Sequence, residues 1–301
     1  MDYEILGQGS ETFSSEEEYY FNFRNCTSLE EEFVGILMER EVNFGLKNDQ
    51  SLVVYGERVK CARLEAITWI LSTRAVFGFR LQTAYLSMIY FDRFLSKRSI
   101  DDEKIWVIPL LSVACLSLAA KMEEIKIPGI SEYQLEDYNF GSKAIERMEL
   151  LVLNTLEWKM GSITPFAYLH YFISKLCLDS SPSNVLSRTA ELILATMAEI
   201  NMIDHRASTI AMAATLVTLE EKLTRTALEL KLNSISHCKS LKIEEVFSCY
   251  NLMKELKKDR VNDGVETSSV TNLFCNERKR SLASVNGDQN HEMEEEKKRL
   301  C

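Results

Sequence analysis

Residues 112–125 read SVACLSLAAKMEEI, and this stretch decides the fold. Its first nine side chains are apolar or small on every side, the pattern of a helix buried all round. Ser112, Ala114, Ser117 and Ala120 are small enough to let neighbouring helices approach closely. The character then changes to Lys121, Met122, Glu123, Glu124. Lysine suits a helix C-terminus, whereas two carboxylates oppose the negative end of the macrodipole. The stretch therefore predicts a core helix that surfaces with a charged end. That end is either solvated or presented to something outside.

The flanking segments supply partners for such a helix. Residues 59–76 and 80–96 both have helical spacing and largely apolar circumferences, with Arg63 set in the first and Asp92 in the second. A charge in such surroundings is costly unless paired. The two either pair internally or each point to solvent. Pro109 falls early in the central helix, where it bounds the first turn or kinks it. Pro128-Gly129 breaks the chain, 131–138 reads as a short helix, and 142–158 as a longer one with Ile145, Met148, Leu151, Val152 and Leu156 on one face. Arg147, Glu149 and Asn154 lie mostly off that face. Upstream, 28–44 is helical, with Ser28 and Glu31 spaced as a capping box and Phe33, Ile36, Leu37 and Glu41 on adjoining turns.

A second set of helices follows. Thr164-Pro165 and Ser181-Pro182 are each an N-cap followed by proline at the first helical position. Residues 208–219, STIAMAATLVTL, repeat the small-and-apolar character of 112–120, and 242–258 is amphipathic. Two bundles with similar central helices predict an all-α chain of two tandem five-helix units. The expected organisation is a disordered tail over 1–27, a first unit with its leading helix over 28–160, a second unit over 161–258, and a disordered tail over 259–301.

Composition agrees with this class. The 301 residues are 46% apolar with only 4 Pro and 11 Gly, so most of the chain can bury a helical core. The net charge of -10 disfavours nucleic acid and anionic membrane as direct partners. The longest apolar window, between Lys104 and Lys121, is too short and mixed to span a membrane, and 1–20 lacks the pattern of a secretory signal. Eight cysteines form no CxxC pair, which suits reduced thiols and no metal. Gly7-Gln8-Gly9 is not a nucleotide loop, and the four histidines have no partner at a useful spacing; His170 reads as a core or surface residue. With no catalytic motif and no cofactor signature, a binding protein is expected rather than an enzyme. The tail triplets Arg278-Lys279-Arg280 and Lys297-Lys298-Arg299 are candidate nuclear-import signals, for a nuclear and cytoplasmic location.

Four segments in order carry a family resemblance: Ala62–Ile70 (ARLEAITWI), Tyr90–Ser96 (YFDRFLS), Leu118–Ile125 (LAAKMEEI) and Arg147–Leu153 (RMELLVL). Together they resemble the cyclins over roughly 28–258, and EEFVGILMERE with Tyr133–Phe140 is most similar to plant D-type cyclins. The resemblance implies a regulatory subunit, without catalytic residues of its own, that activates a cyclin-dependent kinase by pushing its PSTAIRE-type helix inward, in the G1/S step of cell division. By resemblance Lys121 and Glu149 make the polar kinase contacts, and Leu118, Met122, Leu153 and Trp158 supply apolar contact or backing. Arg63 and Asp92 match the family's internal ion pair. Glu123 and Glu124 are then expected to face the kinase or an Arg or Lys. Kinase-inhibitor proteins are further candidate partners.

Two departures bear on partners. The family's docking patch for RxL motifs opens with Met and carries exposed Ile or Leu, whereas this chain has Ala62, Glu65 and Ala66 beside Trp69. Glu65 puts a charge where an apolar side chain should dock. The LxCxE motif for a retinoblastoma-type pocket protein is missing from the N-terminal region, but Leu273-Phe274-Cys275-Asn276-Glu277 occurs in the tail. Leu273, Cys275 and Glu277 are the candidate pocket-protein residues. The alternatives to an activating cyclin are a cyclin-fold module acting in transcription and a cyclin that binds a kinase without activating it.

Overall fold

The computed structural model describes residues 28–44, 57–98, 100, 107–133, 140–177, 182–220, 222–235 and 240–262. Among them are ten α-helices and no strand. They are α1 (Ser28–Phe44), α2 (Glu57–Phe77), α3 (Leu81–Lys97), α4 (Val107–Glu123), α5 (Ser142–Thr155), α6 (Phe166–Leu176), α7 (Pro182–Ala195), α8 (Ala207–Leu219), α9 (Arg225–Ser234) and α10 (Ile243–Asn262). The expected short helix at 131–138 is a single 3-10 turn, Ile130–Glu132, within the described residues. Pro109 is the third described residue of α4.

α4 and α8 are the two axes. Every residue from Leu110 to Ala120 is buried, as is every residue from Ser208 to Val217. α4 packs against α2, α3 and α5, and α8 against α6, α7 and α10. Two of their hydroxyls fold back on their own helices: Ser112 donates to the Ile108 carbonyl at 2.9 Å, and Thr215 to that of Ala211 at 2.8 Å, whereas Ser208 reaches Glu41 of α1. Ser112 and Thr215 thus satisfy themselves while letting neighbouring backbones come near.

Several local readings change. α1 precedes the first repeat but seats on the second. Its buried face is Val34, Leu37, Met38 and Glu41, and the first three join the core of α6–α10. Of the expected stripe, Leu37 and Glu41 are buried, but Phe33 and Ile36 are exposed and Val34 and Met38 take their places. α6 begins at Phe166 with Pro165 itself as N-cap and no side-chain cap, so Thr164 does not cap it. α9 completes the expected five helices of the second unit, although no segment was assigned to it. Only Leu228 and Leu232 are buried along its ten residues, too little periodicity to read, although Thr224 caps it by accepting from the Ala227 N–H at 3.3 Å. The last helix also runs on to Asn262.

The two cores meet at one seam. Ala190 and Leu194 of α7, with Met197 beyond it, pack into the core of the first repeat. There Arg63 donates twice to Asp92, at 2.8 and 2.7 Å, and a third time to the Met197 carbonyl at 2.6 Å. Both side chains are buried. The pair therefore joins α2 to α3 and both to the second repeat. A cavity of about 490 Å³ opens beside it, lined by Tyr85, Met88, Ile89 and the 202–207 turn among others.

Candidate functional site

The charged end of α4 lies against α5. Lys121 Nζ donates to both carboxylate oxygens of Glu149, at 2.6 and 2.7 Å. The Glu149 side chain is only 9% exposed whereas that of Lys121 is 39% exposed, so the lysine is the accessible half. Glu149 was expected mostly off the buried face; its burial is made tolerable by the lysine. A lysine has three donors, and one remains for a partner once two are held by the carboxylate.

Exposed apolar side chains flank this pair. Met122 follows Lys121 and is 54% exposed; Leu150 follows Glu149 and is 51% exposed. Ile125 and Ile127 are exposed beyond the helix end, and Trp158 beyond α5. Leu118, one turn before Met122, is buried and backs the face from within, and Leu153 is half-buried. Leu150, Ile125 and Ile127 were not singled out from the sequence. The signal for Leu150 was there: it falls off the Ile145–Met148–Val152 face yet is apolar.

Glu123 and Glu124 find their cation in Arg80. The Arg80 guanidinium lies 3.5 Å from Glu123 and 3.7 Å from Glu124, and its backbone N–H donates to Glu124 at 2.9 Å. Gln82 donates to Glu123 and Thr83 to Glu124. These groups start α3. Two carboxylates that oppose the dipole of their own helix thus cap the positive end of its neighbour. Burial pushes the Glu123 carboxyl above its ordinary range, against the pull of Arg80. The consequence is geometric: the segment after Lys121 is tied to α3, so the lysine is presented from a fixed base.

The turn after α5 is held in the same manner. Tyr90 donates to the Met160 carbonyl at 2.6 Å, and Arg93 to the Lys159 carbonyl and the Ser162 hydroxyl at 2.8 and 2.9 Å. Lys97 donates to Glu157 at 2.6 Å. Tyr90, Arg93 and Lys97 stand at i, i+3 and i+7 and so share one face of α3.

Ala62 and Ala66 are buried, Glu65 is exposed and Trp69 half-buried, so the RxL position presents a carboxylate. His170 Nδ1 lies 3.8 Å from Glu30 of α1. Among the described residues no group of His, Cys, Asp and Glu could hold a metal, and no helix is long and apolar enough to cross a membrane. Leu273, Cys275 and Glu277, with both basic triplets, lie outside the described residues.

Comparison with known proteins fits this arrangement. The profile described as "Cyclin, N-terminal domain" matches residues 36–161, and "Cyclin, C-terminal domain" matches 163–275. Cyclin-D5-1 of Arabidopsis thaliana is 44% identical over 207 residues, which make up 65% of this chain and 64% of that protein. The chain thus spans just under two thirds of that relative. Cyclin-D1-1 of Arabidopsis thaliana is 34% identical over 269 residues, 86% of this chain and 78% of the relative. Among solved structures, a viral cyclin from Herpesvirus saimiri superposes with a TM-score of 0.58 at 16% identity, over 74% of this chain and 95% of its own. At that identity the likeness concerns the fold alone.

Proposed function

The chain belongs to the cyclin family, with plant D-type cyclins as its similar relatives, and from that premise we propose that it binds and activates a cyclin-dependent protein kinase. The observation that carries the proposal is the Lys121–Glu149 pair with Met122 and Leu150 exposed beside it. A kinase helix laid on this face meets an accessible ammonium for a backbone carbonyl and apolar side chains for its own apolar stripe. Contacts made only when that helix sits inward shift the kinase toward its active state by their differential free energy. The chain needs no catalytic group for this. Through that kinase it drives the G1/S step of division.

The test is phosphate transfer by a purified plant cyclin-dependent kinase to a protein substrate, with and without the full chain. Stimulation that saturates with added chain is expected. A chain that binds the kinase but leaves its rate unchanged contradicts activation. In cells, overexpression is expected to raise the S-phase fraction, and an unchanged fraction argues against the G1/S assignment.

A further inference from the structure

Helices α2 and α5 end in the same turn. Phe79 N–H donates to the Arg74 carbonyl at 3.0 Å, and Trp158 N–H to the Leu153 carbonyl at 2.9 Å, each closing the helix across five residues. α2 makes the turn with Gly78 at φ +68. α5 makes it with Glu157 at φ 55 and Trp158 at φ 58. Glycine enters this region without steric cost and other residues do not, so α5 carries two successive strained residues where glycine would relieve the first.

The side chains show what the strain accompanies. The Glu157 carboxylate is held between Lys97 Nζ and Lys159 Nζ, each at 2.6 Å. Hydrogen bonds from Lys159 and Lys97 hold its carboxyl down to about 2. The next residue, Trp158, is left 63% exposed. Tyr90 and Arg93 fix the backbone after the turn, while Lys97, on the same face of α3, grips the strained residue itself.

We propose that the Lys97–Glu157–Lys159 clamp positions Trp158, fixing its indole outward as an apolar anchor for the kinase. The partner rests on the function proposed above; the clamp does not. Glu157 and Lys97 are positioning residues, since they act through the direction of Trp158. Because exposed ion pairs are screened by salt, an apolar contact thereby acquires a salt dependence.

The test measures kinase affinity of the full chain and of Glu157→Ala, Lys97→Ala, Trp158→Ala and Glu157→Ala/Trp158→Ala, at low and high salt. It is paired with 19F spectra of the free chain labelled with 5-fluorotryptophan, where the Trp158 line is identified by its loss in Trp158→Ala. Glu157→Ala and Lys97→Ala are expected to weaken binding several-fold at low salt and less at high salt. Glu157→Ala should add no loss once Trp158 is gone, and the Trp158 line should move in the free Glu157→Ala chain. Thermal midpoints should change little. A Glu157→Ala penalty that persists without Trp158, an unmoved 19F line, or Trp158→Ala binding like the wild type overturns the clamp and leaves the kinase proposal standing. A wild-type chain that binds no cyclin-dependent kinase overturns that proposal and the anchor's partner together.

Discussion

Single residues here are decided by their partners more than by their types. Arg63 and Asp92 are charges within apolar helices, and spacing alone left them free to pair or to face water. Two short bonds between them and a third to the Met197 carbonyl are the outcome. Removing one member of a buried pair leaves the other charge uncompensated, at a cost of about 3–5 kcal/mol. Asp92→Ala should lower the urea unfolding free energy by about that amount, and a loss under about 1 kcal/mol would mean the pair is solvated. Glu41 is a second case, a carboxylate that spacing places on the docking stripe of α1 without giving its partner. It accepts from the Ser208 N–H at 2.8 Å and from its hydroxyl at 2.5 Å, capping α8 from α1. Burial nevertheless raises its carboxyl above the ordinary value of 4.5, outweighing the bonds from Ser208. The folded state therefore binds this proton more tightly than the unfolded chain. Glu41 costs stability above its raised value, and that cost fades as pH falls through it toward 4.5. The unfolding free energy of the wild type relative to Glu41→Gln should rise as pH is lowered from 7 to 5. A difference that is flat or falls contradicts the burial of this carboxylate in solution.

At the scale of elements, the sequence was most legible where one residue class ran all the way round a helix. α4 and α8 could be named from small and apolar composition because nothing else produces that pattern in a chain without membrane-length segments. Leu116 in α4 is fully buried, so Leu116→Ala should cost about 2–5 kcal/mol, read as a fall in the urea midpoint without loss of helical signal in the folded state. An effect under about 1 kcal/mol would place α4 away from the core. Elements with thin periodicity were not legible. α9 buries two leucines in ten residues, and two of the four expected stripe positions of α1 miss the core because Phe33 and Ile36 are apolar but face out. The charged ends of helices were half-legible. The sequence announced that Glu123 and Glu124 sit badly on their own dipole. It could not announce that Arg80, Gln82 and Thr83, some forty residues earlier, begin the helix they cap.

At the scale of the whole molecule, α3 links the two features that face outward. Its N-terminus holds the carboxylates that follow Lys121, and its later turns hold the loop that carries Trp158. Lys121 and Trp158 are separate in sequence and lie at the ends of different helices, yet one rigid rod sets the position of both. That common base is what a partner helix requires, because contacts shift a two-state kinase only if the face offering them does not itself yield. The second repeat braces the arrangement through Met197 and through α7. The most direct measurement is a titration of a purified plant cyclin-dependent kinase with the wild-type chain and with Lys121→Glu, reading binding and phosphate transfer together, with circular dichroism to verify the fold. The reversed charge sits opposite Glu149 and has no donor for a backbone carbonyl. Folded Lys121→Glu should neither bind at concentrations that saturate the wild type nor stimulate the kinase; folded Lys121→Glu that binds and stimulates like the wild type contradicts the assignment of this face.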